Sequence, residues 1–250
     1  MKSPRARSQT NKIDAIMERA SEALAETRYF ECERESLAGL ALAFQSLDYE
    51  RMHRILLPLQ EARRHKRHQA AEVRKIQKVE TYERLTSLLD GSEPIKPGCY
   101  LFAPPLVAAD GREFRDKANA DEVPVLVLVR EPPTSLGLWP VVMVGPATVR
   151  IRIEKPKRID VPWMLKTGEA LGDAAMAMVD PQEDASGRVE HLMEFLGTLA
   201  DHEKLHQTLA QACLEAQHEA AVLGRKSKGK PPQELDEDDD DFGAAEDEDV

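Results

Sequence analysis

The sequence predicts an α+β fold with a disordered acidic tail, on three observations. Apolar residues recur at three- and four-residue spacing over 11–91 and again over 160–223, the period of an amphipathic helix. Over 98–155 they fall in β-branched runs or alternate with polar residues, as strands require. From Glu234 to Val250 there are eleven acids and no base, which leaves residues 1–233 at zero net charge although the whole chain carries −11. Such a block repels itself and has little apolar surface to bury, so disorder is expected.

The elements follow in order. Met1 to Thr10 is basic and polar, with no apolar stretch behind it, and is expected to be disordered rather than a secretory signal. Asn11 can cap a first helix with Ile13, Ile16, Met17, Ala20 and Leu24 on one face. Thr27-Arg28-Tyr29 interrupts it before a second helix carrying Cys32, Leu37, Leu40, Ala41 and Phe44. Leu47-Asp48-Tyr49 breaks the pattern again, ahead of a third helix with Met52, Ile55, Leu56 and Leu59, in which Pro58 should cause a kink. A fourth, highly charged helix is expected from Ala62 to Leu89, stopped by Asp90-Gly91-Ser92. A sheet of three or four strands should then form from Cys99–Phe102, Val123–Val129, Val141–Val144 and Val149–Ile153, with a short crossing helix near Arg112–Ala120. Helices are expected over Trp163–Met178 and Arg188–Leu199, and a last one capped by Asp201 with Leu205, Leu209, Cys213 and Ala216 on its inner face. Gly224 to Pro232 reads as a basic linker into the tail, so the final segment is 224–250.

Three scattered cysteines, Cys32, Cys99 and Cys213, argue against a disulfide framework and for the reducing cytoplasm. Cys99, heading a strand, is expected to be a buried structural thiol. Trp139 and Trp163 suit small-core anchors or a pocket wall. No run approaches the ~18 apolar residues of a membrane span. Neither a phosphate-binding loop nor a nucleophile elbow occurs.

The two helix breaks, Arg28-Tyr29-Phe30-Glu31 and Asp48-Tyr49-Glu50-Arg51, resemble each other. With Ala20, Cys32 and Gly39 at the small contact positions and Ile16 and Leu24 facing the partner helix, residues 12–64 resemble tetratricopeptide (TPR) repeats over about one and a half units. The same residues also suit a generic pair of αα-hairpins. The resemblance implies a helical array offering a groove to a protein partner.

Two motifs carry chemistry. His202-Glu203-Lys204-Leu205-His206 is H-E-x-x-H and resembles the signature of zinc metallopeptidases, which implies zinc on His202 and His206 with Glu203 as general base. A third ligand would have to be Glu215, Glu219 or His191; the two glutamates lie ~13 Å or more along the same helix at 1.5 Å per residue. A capped helical start, with acids near the positive end of the dipole, accounts for the same residues. The second motif is basic: Arg51, Arg54, Arg63, Arg64, Lys66, Arg67, Arg74, Lys75 and Lys78, with His53, His65 and His68. Cations at this density can bind phosphates, but interspersed Glu61, Glu72, Glu80 and Glu83 suit a solvated helix laced with ion pairs.

The function expected is therefore a protein-interaction or adaptor module without catalytic activity or cofactor. Its partners would be proteins, basic ones among them through the acidic tail, with no membrane involved. The alternatives are a zinc-dependent hydrolase at 202–206 and a nucleic-acid-associated protein using helices 51–78.

Overall fold

The structure, a computed structural model, describes residues 4–228. The first three residues of the basic N-terminal segment, and the linker and acidic tail from 229 onward, lie outside the described residues. The architecture is α+β. Eight helices and a five-stranded mixed sheet are present among the described residues.

Helices α1 (Pro4–Ala25), α2 (Tyr29–Gln45) and α3 (Tyr49–Glu72) run up, down and up. Helix α1 starts at Pro4, ahead of the expected Asn11 cap, so residues 4–10 are helical rather than disordered; a proline is tolerated in a first turn, where its missing N–H costs nothing. The two breaks seen in the sequence are one turn built twice. Arg28 N–H bonds Ala23 C=O and Thr27 N–H bonds Leu24 C=O, and twenty residues later Asp48 N–H bonds Ala43 C=O while Leu47 N–H bonds Phe44 C=O. This pairing is the Schellman closure, and it forces Thr27 (φ 61) and Leu47 (φ 51) into the left-handed region. Gly39 is where α2 slips between its neighbours: a Cβ there would stand 3.2 Å from Ile16 of α1 and 3.3 Å from Ile55 of α3.

Helix α3 continues through Pro58 to Glu72, so the expected break between third and fourth helices is absent. The fourth helix is instead the C-terminal half of α3, followed by strand β1 (Ile76–Val79) and a short helix α4 (Tyr82–Leu89) capped by Thr81. Strand β1 pairs in parallel with β2 (Gly98–Phe102), and β2 with β3 (Val125–Arg130). Helix α5 (Ala108–Ala120) makes the second crossover. Strands β4 (Trp139–Val144) and β5 (Thr148–Ile153) add antiparallel, giving the order β1-β2-β3-β4-β5.

Both faces of the sheet are covered, and the period of two divides its residues between them. Tyr100, Phe102, Val127 and Val129 pack under α4 and α5, where Phe114 lies 4.6 Å from Tyr100 and 5.2 Å from Phe102. Cys99, Leu101, Leu126 and Leu128 face the other way, into a core shared with α3, α6 (Val161–Met176), α7 (Ala185–Thr198) and α8 (Glu203–Lys228). The core is continuous from Ile13 and Leu40 to Val149 and Ala216. Helix α8 lies antiparallel along α3, bringing Ala210 beside His53 and His206 beside Arg63. It also runs through Gly224 to Lys228, so the linker expected from 224 is helical over those residues. No described helix is long and apolar enough to cross a membrane.

Leu47 is 59% exposed, so its side chain contributes little to the core while its backbone carries the left-handed strain. Leu47→Gly is therefore expected to stabilise the protein by up to ~1 kcal/mol, since a left-handed conformation costs an L-residue ~1–2 kcal/mol and glycine's added chain entropy returns part of the gain. Urea unfolding of the full chain measures it; a lower midpoint for the variant would refute the strain.

Candidate functional site

The H-E-x-x-H residues sit at the start of α8, and the first of them is the cap. His202 precedes the helix, and its Nδ1 accepts the Leu205 N–H at 3.2 Å, closing the first turn in place of the expected Asp201. An accepting Nδ1 leaves the proton on Nε2, which faces Glu169 Oε2 at 3.2 Å and Asp173 Oδ1 at 3.7 Å without completing a hydrogen bond. The ring is pressed on α6 at Gly172, where a Cβ would come within 2.1 Å of it. Burial lowers the His202 pKa, and the Glu169 and Asp173 charges offset only part of that.

His206 points elsewhere. Its Nδ1–H donates to the His202 carbonyl at 3.0 Å, and its Nε2 accepts from Arg63 Nη1 at 3.4 Å. Burial, with Arg63 nearby, pushes its pKa down to about 3, so it is neutral at physiological pH. Glu203 is bound by Arg67. The two rings thus direct their remaining nitrogens at different partners, Glu169 and Arg63. The prospective third ligands are engaged apart from them: Glu215 with Arg188 at 2.7 Å, Glu219 with the Ala185 N–H at 3.2 Å, and His191 with Glu183 at 2.9 Å. Among the described residues no three His, Cys, Asp or Glu side chains are grouped to hold a metal ion.

The basic stretch also resolves into pairs. Arg51 makes a two-pronged contact with Asp14 at 2.8 and 2.9 Å and reaches Asp48 at 2.9 Å. Arg54 meets Glu50 and Arg64 meets Glu61. Arg63 and Lys66 share the Glu33 carboxylate, Arg63 at 2.7 Å. Arg67 joins Glu169 of α6 to Glu203 of α8 and also bonds the Asp201 carbonyl at 3.0 Å. Six of the nine cations are therefore neutralised within the fold, and Arg74, Lys75 and Lys78 remain beside strand β1. His53 reaches the Ala210 carbonyl, and His65 stacks on Tyr29 with centroids 4.5 Å apart. Phosphates approaching α3 would have to displace carboxylates already in place, which removes most of the counterion-release gain.

Two features escaped the sequence reading. One is a groove with α3 as its floor and α1 and α8 as its walls. It holds two separate recesses, one of about 630 Å³ over Leu56, Leu57 and Pro58 and one of about 400 Å³ beside Tyr49. Leu57, 64% exposed, and the half-buried Met17 supply apolar surface to the first recess, with Gln60, Gln207, Gln211, His53 and Arg54 around them; Asp48 and Glu50 line the second. The other is a polar cavity of about 230 Å³ on the far side of α3, reached by Arg63 and Lys66 of α3, Arg115 of α5 and Asp201 of the α7–α8 connection. A lone arginine such as Arg115, on a helix that looks solvated, gives no sequence signal. The cysteines are buried as expected, and burial raises the Cys99 pKa to about 11. Trp139 and Trp163 meet edge to face, 6.4 Å between centroids, under Arg130.

No family model matches this chain, and no match is found among curated proteins or solved structures.

The buried charges make stability depend on pH. Below pH ~6.5 an unfolded chain protonates His206, whereas the folded protein does so only near 3. Stability should therefore fall as pH drops from 6.5 toward 3, at up to ~1.4 kcal/mol per unit for this one site. Glu33 behaves alike at lower pH: burial alone would raise its pKa, but Arg63 and Lys66 hold it at about 2, so its contribution is present above 4.5 and lost on approach to 2. Urea midpoints at pH 7, 5.5 and 4.5 should decline in the native chain and more shallowly in His206→Gln; parallel declines would refute the assignment. Glu33→Gln leaves Arg63 and Lys66 without their counterion and should cost ~3–5 kcal/mol at pH 7, read from the same unfolding curves.

Proposed function

We propose that the protein is an interaction module that receives an apolar, helix-forming segment of a partner protein in the groove between α1, α3 and α8. The observation that carries this reading is the exposed Leu57, flanked by the half-buried Pro58 and Met17, in a recess that Gln60, Gln207 and Gln211 line together with Arg54 and His53. Exposed apolar surface in a concavity marks a binding site more often than it marks an accident of packing. Along α1 the groove runs from Gln9 to Ser21, ~18 Å at 1.5 Å per residue, which accommodates about three turns of a bound helix. Methionine and glutamine side chains adapt to partner shape at low cost.

The TPR resemblance supports the same reading. Helices α1, α2 and α3 pack as consecutive helices, an arrangement compatible with helical repeats; in that reading α1 and α3 would line the groove, α2 would lie outside it and α8 would stand where a further unit would follow. The acidic segment 234–250 would add attraction for basic partners and raise association rates at low salt. The cytoplasm suits three unpaired, buried thiols.

A photo-crosslinking amino acid at position 57, introduced in the source cells, tests the proposal. A discrete protein partner should be captured there and not from position 136, which is more exposed (84%) but lies outside the groove. An Ala210→Glu change in the groove wall should reduce capture about tenfold or more by opposing an apolar helix. Equal capture from positions 57 and 136, or none from 57, would reject the groove.

A further inference from the structure

The polar cavity beside α3 is lined by two opposite charges, Arg115 and Asp201, that form no ion pair with each other. Most of its charged lining is already satisfied: Glu33 takes Arg63 and Lys66, and Asp116 pairs with Arg112 at 3.6 Å. Arg115 and Asp201 are left. Arg115 uses Nη1 on the Thr198 carbonyl at 2.8 Å and has no carboxylate at ion-pair distance. The Asp201 carboxylate accepts no hydrogen bond from any described residue, although Arg115 is its leading electrostatic partner and it is that of Arg115. Burial works against both charges, lowering the arginine pKa and raising the aspartate pKa.

An attraction in a half-buried site would close the gap if the side chains were free to move. Thr198 holds the guanidinium through its carbonyl, and Arg67 holds the main chain at 201 by bonding the Asp201 carbonyl at 3.0 Å. The same two residues also line a second, smaller cavity of about 40 Å³. A group that fits must offer an anion to Arg115 and a cation to Asp201. At about 230 Å³ the space lies below the ~300–1,000 Å³ of drug-sized ligand sites, which limits the occupant to a small metabolite. Leu37, Val123 and Val125 make one wall apolar.

We infer that this cavity binds a small zwitterion, an α-amino acid with an aliphatic side chain, its carboxylate on Arg115, its ammonium on Asp201 and its side chain against Leu37, Val123 and Val125. The site is separate from the groove and does not rest on it.

Thermal unfolding and titration calorimetry of the full chain at pH 7, with each standard amino acid in turn, form the test. An aliphatic amino acid at about ten times its Kd should raise Tm by roughly 3–6 °C. Its N-acetyl and methyl-ester derivatives, which each lack one charge, should bind at least about tenfold more weakly, as should the parent amino acid to Asp201→Asn. The derivatives probe the folded native protein, so the result does not depend on a variant that folds. No shift with any amino acid, or derivatives that bind as well as their parent, would overturn the inference.

Discussion

The Glu33 carboxylate, buried between Arg63 and Lys66, is the interaction on which the rest of the structure depends. Helix α3 presents Arg63, Lys66 and Arg67 within little more than one turn, at the place where it is covered by other elements. Cations that close together repel one another and lose solvation on burial, and such an arrangement survives only if carboxylates arrive from several directions. Glu33 comes from α2, Glu169 from α6 and Glu203 from α8. Neutralising one turn of α3 therefore fixes the position of three other helices against it. The apolar core supplies most of the driving force for folding, but it is tolerant of sliding in a way that paired charges are not. The register of α2 and α8 on α3 is set by the charges.

The same constraint gives each residue of the H-E-x-x-H motif a partner within the fold. A metal would need both histidines to offer a lone pair to one point. Here the first lone pair is given to the Leu205 N–H and the second to Arg63, while Glu203 is held by Arg67. Each residue of the motif is used to start α8 or to attach it. The spacing of two histidines and a glutamate on one helix face is what zinc chemistry requires, and also what a helix start packed on a basic neighbour requires. Sequence spacing does not separate these cases; the partners across space do.

Legibility in the sequence followed how local the determining physics was. The strands β2 to β5, the crossing helix and helices α6 and α7 were readable because their periodicity or β-branched content is written in consecutive residues. The turns at Thr27 and Leu47 were readable as repeated interruptions, although neither has the glycine that usually marks a left-handed closure. Strand β1 was missed because Ile76-Gln77-Lys78-Val79 follows a charged helix without a break in composition, and only pairing with Cys99 to Phe102 makes it a strand. The boundary expected between the third and fourth helices, before Ala62, is absent: α3 runs on from Pro58, with Leu56 and Leu59 buried on either side of it, to Glu72. The groove and the polar cavity were invisible for a related reason. Each is assembled from three or more elements distant in sequence, and no residue in either has an unusual neighbour along the chain.

Groove and cavity lie on opposite sides of one helix, and a single contact spans them. Arg63 lines the cavity while its Nη1 reaches His206, which lines the groove. A ligand alters a distant surface only to the extent that it binds two arrangements of that surface unequally. Arg63 is 6% exposed and is pinned at its other face by Glu33. A small occupant of the cavity would act on the groove through the Arg63–His206 contact. Ion pairs tie both walls of the groove to α3, Arg51 with Asp14 of α1 and Arg67 with Glu203 of α8, and a wall held in this way would lose less entropy on binding than a free one.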